Sequence, residues 1–205
     1  MPMKAAAKTI EKLSEQSSAR PVLRITAGAG TTRFLIHNLG TIYEPNDPFF
    51  VKLESTEEKL EIAHRQCDLA IRNSRPSVNN LAFQKLGNVS FRAYAHSTLA
   101  SAKDIGWTVV SVEHARHPAS KWVHSLNEPL CAISSTVDGV YELVRSGQGK
   151  AVFPEYVAAL YPDLVPVSPP ISQLNEDLYL VMHNDDRFRN EMRILIKRIR
   201  ALYRG

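Results

Sequence analysis

The chain has 205 residues, 44% of them hydrophobic and 22% charged, with a formal net charge of +4. That is an ordinary globular composition, with enough length for one sizeable core or two small lobes. No apolar run approaches the roughly 20 residues needed to cross a bilayer, and residues 1–13 lack the apolar stretch of a secretory signal, so a cytoplasmic protein with no membrane partner is expected.

The predicted elements begin with a helix over 3–17, where Met3, Ala6, Ala7, Ile10 and Leu13 recur at helical spacing. The pattern then changes to alternating strands and helices. Val22–Thr26 reads as a strand, and Ala27-Gly28-Ala29-Gly30 as a tight turn. A helix is expected to start at Thr31 or Thr32, to bury Phe34, Leu35, Leu39 and Ile42, and to stop before Pro45. Val51–Glu54 is the next strand, and Ser55 and Glu58 are spaced as a capping box for a helix carrying Leu60, Ile62 and Ala63. Asp68–Arg72 is a third strand. This order predicts a parallel α/β layer with right-handed crossovers, placing Gly28–Thr32 and Arg72 along one edge.

Val89–Ala95 reads as a further strand, and a second βα series follows: strand Thr108–Val112, a helical patch around Trp122 and Val123, strand Leu130–Ile133, then a helix with Val137, Val140, Tyr141 and Val144. Gly147 and Gly149 end that helix, Ala151–Phe153 is a strand stopped by Pro154, and Leu178–Met182 is the last strand. The final helix carries Phe188, Met192, Leu195, Ile199 and Leu202 on one face and is expected to cover the first lobe. The expected architecture is two α/β lobes, with 21–95 and 176–205 in lobe I and 96–175 in lobe II, joined by a two-crossing hinge.

The Gly28-Ala29-Gly30-Thr31-Thr32-Arg33 turn falls short of a dinucleotide fingerprint, because Arg33 replaces the third glycine where helix–strand packing needs a small residue. The same turn suits an anion: free N–H groups of a helix N-terminus, beside the Thr31 and Thr32 hydroxyls, favour a carboxylate or phosphate oxygen. Ser134-Ser135-Thr136 offers a similar arrangement in the second lobe, although Ser135 and Thr31 also read as plain N-caps. His114, His117 and His124 lie without an acidic or thiol partner at ligand spacing, apart from Glu113, and are not expected to hold a metal. Cys67 and Cys131 read as two reduced thiols. Seven cations between Arg187 and Arg204 read as a solvated helix face in preference to a nucleic-acid surface. No elbow, zincin or P-loop motif is present, so neither an enzyme nor a cofactor is expected.

Val22–Gly28, Cys67-Asp68-Leu69-Ala70-Ile71-Arg72, Leu86-Gly87, Ala93-Tyr94-Ala95, Val140–Pro154 and Leu178–His183, in this order, resemble the effector-binding domain of LysR-type transcriptional regulators, from about Pro21 to Tyr203. The resemblance implies two Rossmann-like lobes similar to periplasmic binding proteins, and makes residues 1–20 the end of a linker helix. It implies an anionic co-inducer in the interlobe cleft: an organic acid, amino acid or aromatic carboxylate. Carried over, the ligand-binding positions are Ala29, Gly30, Thr31, Thr32, Arg72, Asn73, Ser134, Ser135, Phe153 and Pro154. It also implies a homodimer of this domain, tetramers of the full regulator, and DNA contact only through an N-terminal winged helix-turn-helix outside this sequence, which reads as a fragment. A stand-alone solute-binding protein and a small two-lobe enzyme are the alternatives.

Overall fold

A computed structural model describes residues 20–56, 66–77 and 79–204. The helices expected over 3–17 and after Ser55 lie outside the described residues.

Alternation of apolar side chains builds two five-stranded sheets. The first has the order β2 (Phe50–Ser55), β1 (Val22–Ala27), β3 (Leu69–Arg72), β10 (Glu176–His183), β4 (Leu81–Val89). The second has β7 (Leu130–Ser134), β6 (Trp107–Val110), β8 (Lys150–Pro154), β5 (Phe91–His96), β9 (Leu164–Pro166). The two sheets share one plan. In each, the first strand pairs in parallel with strands on both sides, and a fourth strand joins antiparallel. That fourth strand, β10 or β5, is the one that follows a crossing between sheets. The crossings are therefore Ser90 and residues 167–175, and the first lies earlier than the 95/96 boundary expected from sequence.

Sequence reading had merged two strands there. Residues 89–95 looked like one strand, but Ser90 separates β4 of the first sheet from β5 of the second. Most of β4 went unread because Gln84, Lys85, Gly87 and Asn88 interrupt its apolar pattern. An edge strand paired only with β10 tolerates those polar residues.

Helix α1 (Ala29–His37) starts two residues before the expected Thr31, because extended Gly28 takes the N-cap position. It ends at Asn38, whose side-chain amide donates to the Phe34 carbonyl, and a short α2 (Leu39–Ile42) follows. Leu39, expected in the core, is 37% exposed because of this break. In the second lobe α3 (Pro118–Ser125) follows β6, α4 (Val137–Arg145) follows β7, and α5 (Glu155–Ala158) follows β8. Gly149, at φ +76°, lies where a Cβ would meet the Gly106 carbonyl oxygen, so only glycine closes this turn between α4 and β8.

The last helix, α6 (Asn190–Leu202), covers the first sheet as expected: Met192, Leu195 and Ile199 share one core with Leu23, Ile25, Leu35, Ile71 and Leu180. Phe188 does not join it. It lies in a 3-10 turn before the helix and is 70% exposed. The second core gathers Val140, Tyr141, Val144, Ala151, Phe153 and Val157.

Asp47 ties α6 to the loop after α2. Its buried carboxylate accepts from Arg198 and from the Glu44 amide. Burial alone would raise its pKa, but these hydrogen bonds outweigh burial and hold it below the usual carboxylate range. A depressed folded value stabilises the fold in full above the unfolded value of about 3.9, and that share is lost as pH falls through the folded value. Urea unfolding from pH 6 down to pH 2 is therefore expected to show a smaller acid-induced loss of stability in Asp47→Asn than in the unaltered chain.

Candidate functional site

The shared plan of the sheets pairs helices that sequence reading did not pair. α1 follows the first central strand of lobe I, and its counterpart is α3, which follows the first central strand of lobe II. The N-termini of these two helices border one cavity of about 90 Å³. Lobe I supplies Gly28, Ala29, Gly30, Thr31 and Glu176; lobe II supplies His117, Ser120, Tyr141, Phe153, Pro154 and Tyr156 among others.

Five predicted positions, Ala29, Gly30, Thr31, Phe153 and Pro154, line this cavity. Thr32 turns away, its hydroxyl donating back to the Ala27 carbonyl. Arg72 lies at the expected sheet edge, but its guanidinium donates to the carbonyl and hydroxyl of Thr26 and is not part of the lining. Asn73 stands one step behind the wall, donating to Glu176 Oε2 at 3.0 Å. Ser134 and Ser135 are outside the lining as well. Ser134 instead accepts from the Thr136 amide, and Thr136, in place of Ser135, caps α4 through the Gly139 amide.

Sequence reading missed His117, Ser120, Tyr141, Tyr156 and Glu176. The signal for α3 was present as His117-Pro118, because proline at the first helical position marks a helix start. Histidine is an uncommon cap, and this one works through its ring. The Ala119 amide donates to His117 Nδ1 at 3.1 Å, which leaves the ring proton on Nε2, 3.5 Å from Glu176 Oε2. His114 and His124 are engaged elsewhere, with Ser111 and with the Val110 carbonyl.

Polar groups converge on the α1 turn. The amides of Gly30 and Thr31 have no acceptor within their helix, and the Thr31 hydroxyl bonds Tyr156 Oη at 2.8 Å. The Tyr141 side chain is 1% exposed, and its hydroxyl has no hydrogen-bond partner among the described residues. That oxygen lies 3.4 Å from where a Cβ on Gly30 would stand. Burial pushes Tyr141 well above the usual phenol range. Burial also raises Tyr156, against the Thr31 hydrogen bond and with help from the Glu176 charge, up to about 12. Both phenols therefore stay protonated at neutral pH, and each has a proton to offer in a hydrogen bond.

Arg33, the residue that spoils the glycine motif, holds the lobes together. From α1 it reaches Asp138 at 2.7 Å and Glu142 at 3.1 Å on α4, donates to Tyr161 Oη at 2.9 Å, and lies over the Tyr141 ring.

The profile of the family described as LysR substrate binding domain matches residues 23–204. No curated protein matches the chain by sequence. Among solved structures the fold is similar to the regulatory domain of CrgA, a LysR-type transcriptional regulator from Neisseria meningitidis, at 17% identity and a TM-score of 0.66, covering 90% of this chain and 100% of that one. Full-length LysG from Corynebacterium glutamicum with bound effector Arg has 17% identity and a TM-score of 0.62, covering 97% and 73%. The effector domain of AmpR from Pseudomonas aeruginosa has 15% identity and a TM-score of 0.63, covering 91% and 96%.

The two tyrosines are expected to differ in their effect on stability. Tyr156→Phe breaks the part-buried bond to Thr31 and should cost about 1 kcal/mol, whereas Tyr141→Phe removes a hydroxyl with no partner among the described residues and should change stability by less than about 0.5 kcal/mol. Urea denaturation of both variants checks this, and an equal loss in the two would contradict the hydrogen-bond assignment.

Proposed function

The chain belongs to the LysR substrate binding domain family, the ligand-sensing regulatory domains of LysR-type transcriptional regulators, and we propose that its effector is a small carboxylate-bearing molecule held between α1 and α3. One observation carries this reading: two helix N-termini from different lobes border a single cavity that also receives the unpartnered Tyr141 hydroxyl. Helix N-termini favour negative charge through exposed N–H groups and the helix dipole. A carboxylate seated on the Gly30 and Thr31 amides is within reach of the Tyr141 hydroxyl, which gains a bond it otherwise lacks. Phe153 and Pro154 supply apolar wall for the rest of the molecule. The protonated phenols support binding in place of catalysis.

Such a ligand touches both lobes, so its affinity depends on their angle, and it shifts the lobe equilibrium by its difference in affinity for the two arrangements. We read that shift as the signal passed to a DNA-binding domain elsewhere in the regulator, in the cytoplasm. Two copies of this domain are proposed to pair, a reading supported by edge strand β7, where Leu130 is 48% and Ile133 59% exposed.

Thermal melting against a panel of organic acids tests the proposal. An effector at about 100 times its Kd stabilises the fold by about 2.7 kcal/mol, which raises Tm by about 5–11 °C in a domain of this size. A Cβ on Gly30 makes only ordinary contacts, whereas the further carbons of Gly30→Val must crowd its neighbours Tyr141 and Pro154, which line the cavity with it. The shift is expected in the unaltered chain and not in Gly30→Val; an undiminished shift in the variant would place the effector elsewhere.

A further inference from the structure

The charges of the cavity point to a narrower class of ligand. Glu176, the first residue of β10, stands on the chain's return from lobe II to lobe I and borders the cavity. Its side chain is 17% exposed. Oε2 is engaged by Asn73 and lies near His117, while Oε1 has no partner among the described residues. Among the described residues, no lysine or arginine is part of the lining. The described side chains therefore give the cavity one carboxylate, and no fixed cation among them opposes it.

A ligand bearing only negative charge would meet this carboxylate at close range in a partly dry site, where like charges repel more strongly than in water. A purely cationic ligand would leave the α1 amides and the Tyr141 hydroxyl without an acceptor. From this balance we infer that the cavity takes a small zwitterion, an α-amino acid or a close analogue, with its carboxylate on the α1 turn and its ammonium on Glu176. The two ligand groups then match two separate features: donors from Gly30, Thr31 and Tyr141, and an acceptor at Glu176 Oε1. Asn73 positions that acceptor by holding the other oxygen. Because β10 leads directly out of the hinge, the ammonium contact also falls where the lobes join.

The inference rests on the cavity being the effector site. Its test compares ligands of one carbon skeleton with and without the amino group: L-alanine with propionate, L-leucine with 4-methylpentanoate, L-phenylalanine with 3-phenylpropanoate, and L-glutamate with glutarate. Calorimetric titration of the unaltered chain is expected to find at least one amino acid that binds tenfold or more tightly than its deaminated partner. Glu176→Gln is expected to weaken that amino acid about tenfold and to leave the partner acid equal or tighter. An acid that binds as tightly as its amino acid would overturn the inference and leave the carboxylate-sensor reading standing. An amino-acid preference unchanged in Glu176→Gln would overturn it too, as would the absence of binding by every pair, and the Gly30→Val comparison then judges the cavity separately. The comparison of ligand pairs needs no variant, so a Glu176→Gln protein that fails to fold does not remove the test.

Discussion

Everything in the cleft depends on how closely the first turn of α1 is pressed against the second lobe. At Gly30 the approach leaves room for one methyl group and no more: a Cβ there would stand 3.4–3.7 Å from atoms of Tyr141, Pro154 and Val157. One helical turn further on, Arg33 secures it by reaching two carboxylates and a phenol of lobe II. Thr31 adds its bond to Tyr156 between these two points. A single helix thus belongs to both lobes, packed on the first sheet through Leu35 and clasped to the second through its polar residues. Any change in lobe angle must strain or break these contacts, so a ligand seated at this turn acts on the place where the lobes are joined.

The same arrangement explains the polarity of the site. Placing α1 beside the first core strand of one lobe, and α3 beside its counterpart in the other, turns two positive helix ends toward one small volume. Glu176 and His117 stand between them without filling it. The tyrosines close the remaining wall with apolar rings and keep their protons, because burial disfavours the phenolate. The cavity thus sets donors at the α1 turn against one carboxylate at Glu176, and the ligand chemistry follows from that pairing.

Much of this was legible in the sequence because it rests on local pattern. Alternating residues marked β1, β3 and β10; the spacing of Met192, Leu195 and Ile199 marked α6 and its place on lobe I; and the Gly28–Thr32 turn marked the start of a helix to within a few residues. The misses have a common cause. Ser134–Thr136 looked like a second anion turn because hydroxyl residues cap helices, but those hydroxyls satisfy their own backbone. The helix that brings His117 and Ser120 to the cavity is capped by histidine, which gives no such compositional signal. Tyr141, Tyr156 and Glu176 enter the site only through tertiary packing. Arg33 read as a defect in a nucleotide motif until the neighbouring lobe supplied its partners.

Amide chemical-shift mapping by NMR tests the central claim most directly, using the carboxylate ligand that raises Tm most. The account predicts the largest shifts at Gly30, Thr31 and Ser120, in the first turns of α1 and α3. Shifts gathered on the outer face of α6 and along β4, with those three amides unmoved, would contradict it.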